Sequence, residues 1–364
     1  MSSTPKRILI DAREFVLGRF TGIARVLQGL TQSLAQSGSC RKMFLALHDS
    51  GALPSDLKNL GSVLVKELPK TFLKSEKALS DLSRHFDLYL SPYPKLPFFG
   101  VQCLAVHIIH DVLDLTHPLY KTRFKTIFDR YRLKKALHRA DITWYDSSWS
   151  MAETQKHFGL CGRNPRVRHP GIQEVFRPDA QPEDNSILAA YGLKAGHVLA
   201  LGNGMPHKNL GILLEIAPQL ERRIVFAGVP ETNRRYWESR HPATPSVWIK
   251  HVEERDLPAL LRGAFCLVQP SLVEGYGYPP LEAMACGTPA VVSNIPVLQE
   301  TTGGNALAVN PNDSGAWAQA LRVIEDETTY RHMKENGLKW VRAFQGVNAW
   351  KHQMHDLDLL LEGG

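Results

Sequence analysis

The chain has 364 residues, 43% of them hydrophobic and 22% charged, and Lys+Arg exceed Asp+Glu by seven. That length favours two domains of ordinary size, and the composition excludes a disordered or fibrous chain. No run approaches the roughly 20 apolar residues of a membrane-spanning helix, and five scattered cysteines (Cys40, Cys103, Cys161, Cys266, Cys286) without Cys-x2-Cys spacing offer neither a zinc site nor a disulfide framework. The opening MSSTPKRILID lacks the apolar core of a signal peptide, so the chain reads as soluble and cytoplasmic.

RILID (7–11) is a short apolar run, read as the first strand. A loop with Gly18 and Gly22 follows, and then Ile23, Val26, Leu27, Leu30 and Leu34 recur at helical spacing. The pattern predicts a helix from near Gly22 to about Ser37-Gly38. The runs MFLAL, DLYLS, LAVHIIH and ITWYD are strand-like, with a basic helical stretch from Lys121 to Arg139 between the last two. Beyond VRHPG, the polar segment QEVFRPDAQPEDN with Pro178 and Pro182 reads as a linker. A second series of strands comes next: HVLALGN, RRIVFAG, SVWIKHV, FCLVQPS, PAVVSN and ALAVNP. Trp350, Met354, Leu357, Leu360 and Leu361 then mark a last helix, from roughly Asn348 to Leu361.

Short strands alternating with helices imply parallel sheets covered on both faces. Two series imply an α/β chain of two Rossmann-like doubly wound domains, 1–172 and 186–347, facing across a cleft. Ligands in such domains bind beyond the carboxyl ends of the strands. The charge is divided unevenly: residues 1–170 hold 26 Lys+Arg against 14 Asp+Glu, and the remainder 17 against 22. A basic half suits nucleic acid, anionic lipid or a diphosphate-linked substrate. No nucleic-acid-binding motif accompanies it. A dehydrogenase is disfavoured, because no Gly-x-Gly-x-x-Gly follows the first strand.

The chemistry concentrates in PSLVEGYGYPPLEAMACGTPAVVSN (270–294). A buried strand ends in a loop with Glu274, Gly275 and Gly277, and Pro279 and Pro280 stand where a helix starts. Glu282 is expected in that helix's first turn. Glycines let the backbone approach a ligand closely, and a helix start offers amides to an anion. Two carboxylates eight residues apart are placed to accept sugar hydroxyls on either side of a phosphate.

This block resembles the Glu-x7-Glu signature of the family 4 retaining glycosyltransferases, which have the GT-B fold. The likeness extends through EGYGYPPLEAMACGTPAVVSN and over most of the chain. GNGMPHKNL (202–210) is similar to the family's glycine-started, Lys-Asn-ended loop that grips the donor diphosphate, although His207 and Asn203 stand where relatives carry arginines. The resemblance implies donor binding by Gly202, Asn203, His207, Lys208, Gly275, Tyr276, Gly277, Tyr278, Leu281 and Glu282, with Glu282 on the ribose. TGIARVLQGL (21–30) is similar to the family's Gly-Ile-Gly-Arg helix start, which adds Gly22 to that set. HDVLDLTHP (110–118) resembles a segment of mannosyltransferase-like members and implies His110 at the donor sugar. SPYPKLP (91–97) and DSSWSMAE (146–153) follow the family's pattern in the first domain. Asp111, Ser147 and Ser148 are the acceptor-side candidates.

The resemblance further implies transfer of a hexose from a nucleoside-diphosphate sugar, GDP-mannose by likeness, with retention at the anomeric carbon. The acceptor would be a saccharide or a lipid-linked saccharide. Glu274, His110 and Lys208 would carry the reaction with neither a metal nor a cofactor. A UDP-sugar donor and a non-catalytic scaffold in polysaccharide assembly are the alternatives. The last helix would return to the first domain. The basic face of 121–139 suggests peripheral attachment to an anionic membrane, unless its apolar stripe (Phe124, Ile127, Phe128, Tyr131, Leu133) serves the protein's own core.

Overall fold

In a computed structural model, residues 5–18, 21–37, 41–116, 123–242 and 244–363 are described. The chain divides into two units, one of residues 1–171 with 347–364 and one of residues 172–346.

The first unit is built on seven parallel strands: β1 (Lys6–Asp11), β2 (Arg41–Leu47), β3 (Val63–Glu67), β4 (Leu88–Ser91), β5 (Leu104–Ile109), β6 (Ile142–Tyr145) and β7 (Pro165–Val167). Their order is β3-β2-β1-β4-β5-β6-β7. The second unit has six: β8 (His197–Leu201), β9 (Ile224–Ala227), β10 (Ser246–Ile249), β11 (Ala264–Gln269), β12 (Ala290–Ser293) and β13 (Leu307–Val309), ordered β10-β9-β8-β11-β12-β13. Both are doubly wound sheets, and the strand order reverses at β1/β4 and again at β8/β11. The crevice beyond such a reversal is where this fold binds ligands.

Central strands such as β4, β6, β9 and β12 are buried at every residue, as expected for sheets covered on both faces. The Gly22–Gln36 helix runs over nearly the predicted span, and Thr21 caps it by accepting from the Ala24 amide at 3.1 Å. Gly38, Cys40 and residues 117–122 lie outside the described residues, so the predicted start of the basic helix at Lys121 does too. The described helix is Arg123–Arg139.

The Lys351–Glu362 helix, following all of the second unit in sequence, packs in the first. Fully buried Asp356 accepts from Trp144 Nε1 at 2.9 Å and from Arg168 Nε at 2.7 Å, and it also pairs with Arg166. Trp350 lies against Gly29 and Gly171, where an added Cβ would stand 3.0 and 2.7 Å from its indole.

Candidate active site

In the second unit two loops meet at the reversal between β8 and β11. The first leaves β8 through Gly202, whose φ of +149° lies in glycine territory, and passes Gly204 at φ +69°. A Cβ on Gly202 would touch the aliphatic stem of Lys208 at 3.6 Å, and one on Gly204 would strike Val229 at 2.7 Å. The loop is held by side chains of the Glu231–Glu238 helix: Asn233 Nδ2 donates to Asn203 O at 2.7 Å and Trp237 Nε1 to Gly204 O at 2.7 Å. Asn203 is exposed, and its Oδ1 accepts from the Met205 amide at 3.1 Å. Asn209, a non-glycine residue at positive φ (+54°), donates to Pro270 O at 3.1 Å and Pro311 O at 2.7 Å. It thereby ties this loop to those following β11 and β13.

The second loop leaves β11 and is fastened to the first by the Leu272 amide donating to His207 O at 2.8 Å. Here the structure brings Lys208 and Glu274 together, with Nζ 2.7 Å from Oε1. Gln269 Nε2 at 2.7 Å and Ser271 Oγ at 2.6 Å donate to the same oxygen. Oε2 makes no hydrogen bond among the described residues. Burial pushes the Glu274 carboxyl upward, but the Lys208 charge and the three donors outweigh it and hold the group below the usual carboxylate range. The result is a fixed carboxylate that clamps a lysine ammonium, with one oxygen left for a ligand hydroxyl.

Gly277 (φ +102°) caps the Tyr278–Ala285 helix, and a Cβ there would lie 2.5 Å from Leu298 Cδ2. Tyr276 and Tyr278 meet edge-on, their ring centroids 5.1 Å apart. Two expectations change. The helix starts at Tyr278, so Glu282 sits at its fifth position rather than in the first turn, and its side chain is buried. Leu281 is fully buried, so it is a core residue that can offer a ligand only its backbone. Pro279 and Pro280 have no amide hydrogen, which leaves Gly277 and Tyr278 as the N–H donors of the helix start. Gly275, like Glu274, is buried in the loop.

In the first unit, Gly22 opens its helix with nothing within 4 Å of where a Cβ would stand. His110 follows β5, its Nδ1 2.6 Å from Asp146 Oδ2 and its Nε2 3.0 Å from Pro92 O. Both partners are hydrogen-bond acceptors, an arrangement that favours the doubly protonated ring. Burial lowers its pKa, yet Asp146 overrides that and raises it above the ordinary histidine value. Both nitrogens are thus committed within the unit, and a hydrogen bond from the ring to a sugar would require one of them to be exchanged. Asp111 Oδ1 accepts from the Leu113 amide at 2.9 Å. Ser148 is exposed, whereas Ser147 is fully buried and caps the Ser148–Phe158 helix by accepting from the Ser150 amide at 3.1 Å.

Sequence reasoning missed Gln269, Ser271, Asn209 and Asp146. The available signal was position, since Gln269 ends a buried apolar strand and Asp146 directly follows another.

Residues 192–340 match the family model for glycosyl transferases group 1. The chain is 29% identical to the O-antigen chain mannosyltransferase B of Escherichia coli over 68% of this chain and 70% of that protein. A sucrose-phosphate synthase from Thermosynechococcus elongatus superposes with a TM-score of 0.78, at 19% identity, over 98% of this chain and 99% of that one. The Anabaena protein HepE, in complex with UDP-glucose, superposes with a TM-score of 0.76, at 16% identity, over 97% and 98%. The fold is that of the GT-B glycosyltransferases, and the family match over the second unit together with the relatives' names supports a glycosyltransferase. Among glycosyltransferases the chain is mannosyltransferase-like.

Proposed function

We propose that the protein transfers mannose from GDP-mannose to a saccharide acceptor in bacterial surface-polysaccharide synthesis, with retention at the anomeric carbon. The observation that carries this reading is the Lys208–Glu274 pair at the β8/β11 reversal, in the unit that matches the transferase family model. The identity to an O-antigen mannosyltransferase supports mannose.

Breaking the bond between the sugar's anomeric carbon and the donor's β-phosphate oxygen leaves negative charge on that phosphate. Lys208 and the amides of Gly277 and Tyr278 meet the charge as it develops. Glu274, fixed through Oε1, takes a sugar hydroxyl on Oε2 and places negative charge near the oxocarbenium-like carbon. The acceptor oxygen bonds to that carbon from the face the phosphate leaves, and its proton passes to the departing phosphate oxygen. Charge neutralisation by Lys208 and the amides lets this scheme run without a metal. Glu282 binds the ribose. The acceptor is a saccharide or lipid-linked saccharide at the inner face of the cytoplasmic membrane. One observation suits that location: the basic first half of the chain.

Thermal unfolding with GDP, UDP or ADP tests the donor site. GDP at 100 times its dissociation constant should add about 2.7 kcal/mol of stability. UDP stabilising where GDP does not would overturn the donor assignment, and no shift with any nucleotide would overturn the donor site. Lys208→Ala should lower kcat by about 10²–10³, read as GDP release from GDP-mannose with acceptor present.

A further inference from the structure

The apolar stripe of the basic helix had two readings, core or surface, and the structure divides it. Leu133, Ala136 and Leu137 are buried, while Ile127, Phe128 and Tyr131 are 68%, 38% and 58% exposed. The side chain of Phe124 is outside the described residues. Two other segments extend the exposed part. The start of the Phe72–Ser83 helix contributes Phe72 at 49% and Leu73 at 60%, and the loop after β4 contributes Phe99 at 50%. Ring contacts join them into one surface: Phe72 to Phe128 at 6.4 Å, Phe128 to Phe98 at 5.8 Å and Phe98 to Phe99 at 5.3 Å. A buried arginine, paired with Glu76, underlies the rings, and an exposed lysine stands beside them. Arg132 lies 5.7 Å from the Phe72 ring and 5.9 Å from Phe128, and Lys135 lies 5.9 Å from Phe98. Lys70, Lys74, Lys125 and Lys134 are exposed on the same segments, and Asp129 is half-buried.

We propose that the surface formed by Phe72, Leu73, Phe99, Ile127, Phe128 and Tyr131 docks the protein onto an anionic lipid bilayer. A bilayer interface accepts rings at headgroup depth while lysines reach the lipid phosphates, and it needs no matching shape. Protein interfaces are depleted of lysine. Single-stranded nucleic acid needs ring faces on which to stack, whereas Phe72–Phe128 and Phe98–Phe99 meet edge-on at 67° and 89°. The inference draws its purpose from the proposed membrane-held acceptor, but its test does not depend on the sugar chemistry.

Co-sedimentation with vesicles of phosphatidylcholine, alone or with about one-third phosphatidylglycerol, reads the docking at low salt and at about 0.5 M salt. The protein should partition at least about tenfold more onto the anionic vesicles. The triple variant Phe72→Ser/Leu73→Ser/Tyr131→Ser should lose at least about tenfold of that binding, with unchanged Tm and unchanged transfer to a soluble acceptor. High salt should weaken the parent's binding yet leave it above that of the triple variant. Equal binding by parent and variant, equal binding to both vesicles, or none to either overturns the proposal. So does a lipid-free dimer, or capture of an oligonucleotide, that the triple variant abolishes. Loss of transfer with docking intact would instead count against the proposed function alone.

Discussion

At buried Glu274 and part-buried His110 alike, a partner of opposite sign outweighs desolvation and favours the charged form. Glu274 is clamped at one oxygen and open at the other, an arrangement suited to binding, whereas His110 is closed at both nitrogens, one suited to positioning. The pH dependence of stability separates a closed pair from an open ring. The folded-state pKa of His110 is raised, so its pairing contributes fully below the unfolded value of about 6.5. That contribution is lost as pH climbs through the folded value. Asp146→Asn should therefore destabilise most near pH 6 and progressively less towards pH 9, measured by urea unfolding at each pH. An equal penalty at both ends would mean that His110 is not held as a cation.

Elements were legible where burial is symmetric and obscure where it is not. β1, β4, β6, β8 and β11 stood out as apolar runs because sheets covered on both faces bury consecutive residues rather than alternate ones. β3 and β7 escaped because they are edges: Leu64 and Val65 of β3 are exposed, and β7 spans three residues beginning with a proline. Within the site, Glu274 and Lys208 were readable because each sits in a contiguous motif. Gln269 and Ser271 were not, since their roles depend on which oxygen of Glu274 they reach, and spacing does not encode that. Asp356 was invisible for a stronger reason, its partners Trp144, Arg166 and Arg168 lying about two hundred residues away. A carboxylate of this kind is costly to remove, because the cations it paired stay behind part-buried. Asp356→Ala should cost about 3 kcal/mol in denaturant unfolding. A loss below about 1 kcal/mol would reduce the cluster to the worth of surface pairs.

For the molecule as a whole, chain order and unit membership disagree at the C-terminus, because residues 347–364 follow the second unit in sequence but belong to the first. Truncation after Gly346 should therefore injure the unit far from the cut in sequence and spare the one next to it. It removes Trp350 from Gly29 and Gly171, and Asp356 from a buried indole and two arginines. The second unit keeps both site loops, the Lys208–Glu274 pair and its own cluster around Phe226 and Trp317. Scanning calorimetry of the truncated chain should show the transition of the first unit lowered by several degrees or lost. The transition of the second unit should stay in place and still move upward with GDP. Were both transitions to fall together, or the nucleotide shift to vanish, the terminal helix would support the second unit as well, and its membership of the first would be incomplete.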